Sequence, residues 1–227
     1  GEYISNDDSY NIPIISLYGK KTLPDKNLLN GLDAIIFDIQ DIGSRYYTYI
    51  STMTNMMNAC AESGINFYIL DRPNPISGFV NGPILEKEFS SFVGMHQIPI
   101  RHGMTIGELA YMINEKNWLN NKVDLYIVKM KGWDRDLYYN NTGLTFIPPS
   151  PNIPDLETAV LYSGLCLIEG TNLSEGRGTK SPFKLIGAPW LDSKIILNLI
   201  TNNIIYGVSL EASQFTPISI PEMSKSP

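Results

Sequence analysis

The sequence predicts an α/β domain built on a parallel sheet with helices on both faces. Two patterns predict it. Short apolar runs, each closed by a carboxylate or a turn, alternate with segments of helical spacing. The runs are also almost wholly apolar, as strands covered on both faces are. Such alternation implies right-handed crossovers between parallel neighbours.

In order, residues 11–18 (NIPIISLY) read as a strand, and Ala34 to Asp38 (AIIFD) as a short strand closed by an acid. Tyr46 to Glu62 carries apolar residues at helical spacing, with Gly64 as a stop signal. Phe67 to Leu70 is a buried-strand pattern ended by Asp71-Arg72-Pro73-Asn74-Pro75, where two prolines forbid a continuing ladder. Thr105 to Asn117 reads as a helix, with Thr105 and Glu108 spaced as a capping box. Asp124 to Lys129 is a further strand. Four prolines between Pro148 and Pro154 make a stiff, extended segment, either a linker or the wall of a cleft. After it come a helix (155–162), a strand (165–169), a polar loop (170–181), a helix (192–201) and two strand-like runs near 204–210 and 215–220.

A chain of 227 residues is long enough for a sizeable core. Its formal net charge of −6 argues against binding nucleic acid through phosphates. No apolar run is long enough to cross a bilayer, and there is no basic amphipathic stretch. No signal peptide opens the chain. Its polar start at Gly1 and its ragged end (217–227) read as a trimmed fragment. The two cysteines, Cys60 and Cys166, are expected as buried thiols; sequence alone does not place them for a disulfide.

Three strand ends carry polar clusters: Asp38, Gln40, Asp41, Arg45 and Tyr47; Asp71, Arg72 and Asn74; and Glu169, Asn172, Glu175 and Arg177. Ligands of parallel sheets bind outside the carboxyl ends of the strands, so these clusters are expected to converge on one crevice. One of Asp38 and Asp41 is expected to cap the following helix. Asp71–Arg72 also reads as a local ion pair closing a turn, and Asn74 as a turn residue. Glu169, directly after an apolar run, is expected to be partly buried, which raises a carboxyl pKa and suits a general acid. One tyrosine of the run 46–49 is expected to face the crevice and stack on a sugar.

Several chemistries are excluded. Gly176 to Ser181 fails both the Walker spacing and GxGxxG, and no GxSxG elbow exists. His96 and His102 lack partners at metal-ligand spacing, so no metal is expected; His102 is equally a substrate contact or a structural histidine.

The runs FDIQDIGSRYYTYI (37–50), DRPNP (71–75), SFVGMHQIPIRHGMTIGELA (91–110), PPSPNIP (148–154) and EGTNLSEGRGT (169–179) resemble the bacterial exo-β-N-acetylmuramidase family, from Ile14 to about Trp190. The resemblance implies a Rossmann-like catalytic domain (1–190), with helices on both faces of its sheet, followed by the start of a smaller C-terminal domain (191–227). It implies an active site in a cleft, no cofactor, and a peptidoglycan-derived glycan as substrate, from whose non-reducing end N-acetylmuramic acid is released. It further implies action in the periplasm or outside the cell, and relatives that extend beyond both ends of this chain.

Glycoside hydrolysis usually employs two carboxyl groups. Glu169 is expected to be one. An upstream glutamate of the family, Asp41 or Glu175 is expected to be the other. Arg45, Arg72 or Arg177 is expected to hold the lactyl carboxylate by its bidentate fork. Asp38, Gln40, Tyr47, Asp71, Asn74, His102, Asn152 and Asn172 complete the expected substrate contacts. The rival from another class is a non-catalytic module that holds cell-wall sugar. A nucleotide-dependent enzyme rests on fold analogy alone.

Overall fold

The computed structural model describes residues 2–7, 10, 12–17, 22–24, 26–201 and 207–218. In chain order its elements are β1 (Glu2–Asp7), β2 (Ile12–Ser16), α1 (Lys26–Leu29), β3 (Ala34–Phe37), α2 (Tyr49–Ser63), β4 (Asn66–Leu70), β5 (Asn81–Ile84), β6 (Pro99–Arg101), α3 (Ile106–Glu115), β7 (Leu125–Val128), α4 (Leu156–Leu165) and α5 (Ser193–Thr201). Two compact units divide the chain, residues 1–149 and 150–227. The division falls within the proline-rich stretch, and the boundary expected at 190 lies inside the second unit.

The first unit is organised by a parallel sheet of order β3-β4-β7, in which Ile36 pairs with Tyr68 and Tyr68 with Tyr126. Alternate residues face one core. Phe37, Phe67 and Ile69 pack with Met53 and Met57 of α2 and with Leu109 and Ile113 of α3. Each such side chain contributes about 1.5–3 kcal/mol by leaving water. Opposite this core, Ile36, Tyr126 and Val128 are 65%, 48% and 54% exposed. Helices on both faces were expected, but both crossover helices lie on one face and touch each other. The physical reason is direction: β3 to β4 to β7 steps the same way across the sheet, and right-handed crossovers that step the same way stay on the same side.

Helix α2 starts at Tyr49 rather than near Tyr46. The preceding residues are tied to β6 instead: Ser44 bridges Arg101, and Arg45 N–H donates to Ile100 O at 2.8 Å. At its other end Gly64 adopts φ 67° and donates to Cys60 O, a left-handed cap that favours glycine. The capping box of α3 is complete. Glu108 N–H donates to Thr105 Oγ1, and Thr105 N–H donates to the Glu108 carboxylate.

Antiparallel pairs β1–β2 and β5–β6 form two further ribbons. Of these four strands only β2 was expected; Pro83 and Pro99 mask any strand alternation in the second ribbon. Both cysteines are free thiols; Cys60 is buried and Cys166 partly so.

In the second unit, Asp155 caps α4 by accepting from Thr158 N–H at 2.8 Å. The strand expected at 165–169 is absent. Leu165 ends α4, and Cys166–Gly170 continue as a 3-10 turn. Four apolar residues cannot be told from a helix end by periodicity alone, and here the capped helix runs through them. Of the two strand-like runs expected further on, residues 207–210 and 215–218 form no strand, and 204–206 and 219–220 lie outside the described residues. No helix among the described residues is long and apolar enough to cross a membrane.

His96 is buried in the first unit, stacked on Trp118 with ring centroids 5.1 Å apart and 2.8 Å from Thr54 Oγ1. Thr54 donates its own proton to Ile50 O, so the imidazole Nε2–H donates to Thr54. Burial lowers the His96 pKa from 6.5 to about 4. Because the folded pKa is depressed, protonation favours the unfolded chain, and stability falls as pH drops from 6.5 toward 4. Urea denaturation is expected to lose about 2 kcal/mol between pH 7 and pH 5, and His96→Gln to remove most of that slope. An unchanged slope in the variant would place the acid sensitivity elsewhere.

Candidate functional site

The carboxyl ends of β3 and β4 deliver Asp38 and Arg72 into one hollow of about 210 Å³. Arg72 Nε donates to Asp38 Oδ1 at 2.8 Å, and its Nη2 lies 2.6 Å from the same oxygen. Gln40 lines the hollow with its amide orientation fixed, because Nε2 donates to Asp41 O at 2.6 Å and to Pro73 O at 2.8 Å. Ile147, Pro148 and Pro149 form the facing wall. Tyr49, in the first turn of α2, also lines the hollow, and its hydroxyl donates to Pro149 O at 2.7 Å. That bond holds the wall against the helix. Tyr47, the residue expected to face the crevice, is buried instead and packs edge-on against Tyr49 at 4.8 Å. The run of aromatics signalled a ring here; only the start of the helix decides that Tyr49 carries it.

Other expected site residues sit beneath or behind the hollow as supports. Asp41 is buried, and its Oδ2 accepts from Gly43 N–H at 2.8 Å and faces His102 Nε2 at 3.3 Å. Met104 N–H donates to His102 Nδ1 at 3.2 Å, so the ring proton resides on Nε2 and points at Asp41. The ring is buried, with Nδ1 bonded to the backbone and Nε2 held against the Asp41 carboxylate without a hydrogen bond between them. Asp71 accepts from Arg72 N–H, from Gly107 N–H at 2.8 Å and from Thr105 Oγ1 at 2.9 Å. Burial raises its carboxyl pKa, against the pull of these three bonds. Asn74 is buried, donates to Met104 O and accepts from Ile76 N–H, as a turn residue does. Gly43, at φ 80°, lies so close to the Asn74 amide that an added Cβ would strike it. Arg45 is buried too, and its Nη1 donates to Pro83 O at 2.8 Å and Ile98 O at 2.5 Å. Desolvation lowers its pKa. It ties the β5–β6 region together rather than presenting its fork to solvent.

The third polar cluster belongs to the second unit. Glu169 was expected on a buried strand, but it is exposed on the 3-10 turn after α4. Arg177 grips it through two bonds, Nη1 to Oε2 at 3.0 Å and Nη2 to Oε1 at 2.8 Å. Glu175 Oε1 lies 3.6 Å from Arg177 Nε, and the guanidinium carbon stands 5.1 Å over the Phe183 ring. All three edges of Arg177 are thus engaged. Asn172 is exposed in the loop that follows, and Asn152 sits half-buried in the tight turn between Ser150 and Ile153.

A polar hollow at the carboxyl edge of a parallel sheet, walled by prolines and an aromatic ring, belongs to the class of α/β small-molecule sites. The chain is a member of the family described as exo-beta-N-acetylmuramidase NamZ: residues 2–157 match its N-terminal domain and 160–226 its C-terminal domain. It is 48% identical, over 96% of its length, to the peptidoglycan beta-N-acetylmuramidase NamZ of Bacillus subtilis (strain 168). Crystal structures of two DUF1343 family proteins from Bacteroides fragilis superpose with TM-scores of 0.82 and 0.79, at 42% and 38% identity over 87% and 98% of this chain. These similarities agree with a Rossmann-like fold. The chain spans about half the length of these relatives, 52% of the curated protein and 52% and 56% of the solved chains.

Removing Asp41 leaves the Gly43 N–H without its acceptor and His102 without the carboxylate beside it, in a dry site. Asp41→Ala is expected to cost about 2–4 kcal/mol of unfolding free energy. A loss below about 1 kcal/mol in urea denaturation would remove this couple from the fold's supports.

Proposed function

We propose that this chain is part of a glycoside hydrolase that releases N-acetylmuramic acid from the non-reducing end of peptidoglycan fragments. The observation that carries the proposal is the 48% identity, over nearly the whole chain, to a protein named for that activity on peptidoglycan. The hollow supports it chemically, since one guanidinium, one carboxylate and one aromatic ring suit a charged amino sugar. Peptidoglycan lies outside the cytoplasm, so the enzyme acts in the periplasm or beyond the cell. The excess of acidic over basic residues is in keeping with a glycan rather than a nucleic-acid partner.

Hydrolysis requires a carboxyl group to protonate the leaving oxygen and a second to stabilise or attack the anomeric carbon. Glu169 is proposed as one of the two. Paired with Arg177, it suits the second task once substrate enters. Glu175, in the loop that follows and also beside Arg177, is one alternative, and Asp41, beneath the hollow, is the other. The ion-paired, exposed setting of Glu169 also favours a second reading, a module that binds cell-wall sugar without cleaving it.

A chromogenic N-acetylmuramic acid glycoside separates the two readings. Full-length protein is expected to liberate the chromophore together with free N-acetylmuramic acid. Glu169→Gln is expected to lower turnover by at least about a hundredfold at an unchanged melting temperature. Near-normal turnover in that variant would take Glu169 out of the mechanism. Sugar binding without release by the wild type would favour the non-catalytic module.

A further inference from the structure

We infer that Arg72, oriented by Asp38, is the residue that reads the lactyl carboxylate of the sugar, and therefore distinguishes N-acetylmuramic acid from N-acetylglucosamine. The inference rests on the muramidase reading above for the identity of the sugar, and on the placement of three guanidinium groups for the residue.

A carboxylate receptor needs a free guanidinium edge that is both fixed and reachable. Arg45 fails on reach: it is buried and donates to the carbonyls of Pro83 and Ile98. Arg177 fails on freedom, because Glu169 occupies its Nη1 and Nη2, and Glu175 lies at its Nε. Arg72 meets both conditions. Its side chain is 38% exposed and lines the hollow. Asp38 engages it through one oxygen only, Oδ1, from Nε and Nη2. The Nη1–Nη2 edge keeps donors for a second carboxylate, and the Nε bond restrains the plane in which they lie. Asp38 is thus a positioning residue.

The backbone makes this placement firm. Arg72 N–H donates to Asp71 Oδ1, and the same oxygen accepts from Gly107 at the start of α3. The side chain therefore leaves the strand end in a set direction. Gln40 and Tyr49 bound the rest of the hollow, so a sugar seated there has its charged substituent within reach of one cation. N-acetylglucosamine lacks the lactyl group and leaves that edge of Arg72 to water.

The test is calorimetric titration of the full chain with the two free sugars, which needs no turnover. Wild-type protein is expected to bind N-acetylmuramic acid at least about tenfold more tightly than N-acetylglucosamine. Arg72→Gln is expected to abolish the preference by weakening the acidic sugar alone. Arg72→Lys keeps the charge but not the fork, and should retain only part of the preference. Asp38→Ala removes the acceptor that orients Arg72 and should reduce the preference several-fold, whereas Asp38→Asn, which keeps an acceptor for Nε, should retain more of it. Arg72→Gln with the preference intact, equal losses on both sugars, or a wild type that binds neither sugar or shows no preference would each overturn the assignment. If the sugars are discriminated through Arg72 but the chromogenic glycoside is not cleaved, the hydrolase reading fails while this inference stands. If the glycoside is cleaved but Arg72→Gln keeps the preference, the hydrolase reading stands and this inference fails.

Discussion

The Asp71 carboxylate ties the end of β4 to the start of α3, and the geometry of the hollow hangs on that tie. Its oxygens accept from the Arg72 and Gly107 amides and from the Thr105 hydroxyl. A Cβ at Gly107 would lie 2.8 Å from Asp71 Cγ, so the close approach demands glycine there. Thr105 meanwhile caps the same helix through Glu108, which is held in turn by Arg135. One acid thus fixes a strand end, a helix start and the departure direction of Arg72. The cost is partial desolvation of a charge, which its three donors offset only in part, leaving the carboxyl pKa raised.

Around this tie, the polar residues divide by what their atoms have left to offer. Asp41, His102, Asn74 and Arg45 are buried within the fold, and their hydrogen bonds run to backbone groups. They shape the loops after β3 and β4. Asp38, Arg72, Gln40 and Tyr49 keep a face toward the hollow. The proline-rich stretch, read from sequence as either linker or cleft wall, takes both parts: Pro148 and Pro149 wall the hollow, and the division between the two units follows immediately. Tyr49 secures that wall by a single hydroxyl bond.

Much of the fold was legible because it rests on local rules. The strands at 34–37, 66–70 and 125–128 announce themselves as short apolar runs, the capping box of α3 by Thr105 and Glu108, and the end of α2 by Gly64. Where structure and expectation part, local pattern is outweighed by distant packing. Leu165 to Glu169 is as apolar as a strand, but a helix capped by Asp155 runs into it. The open face of the sheet carries Ile36, Tyr126 and Val128, whose apolar character gives no warning that they are uncovered. The β5–β6 ribbon hides behind prolines.

For the candidate site, the sequence by itself determined which residue types gather at the ends of β3 and β4, because a parallel sheet sends both carboxyl ends to the same edge. It also carried the family likeness. Which of three arginines retains a free fork was decided only by tertiary structure. A guanidinium's availability depends on the acceptors that surround it, and spacing along the chain does not name them: Ile98 for Arg45 and Asp38 for Arg72 are far away in sequence, and Glu169 reaches Arg177 across a folded loop. Residue type fixes how many donors a side chain owns; packing fixes how many it has left.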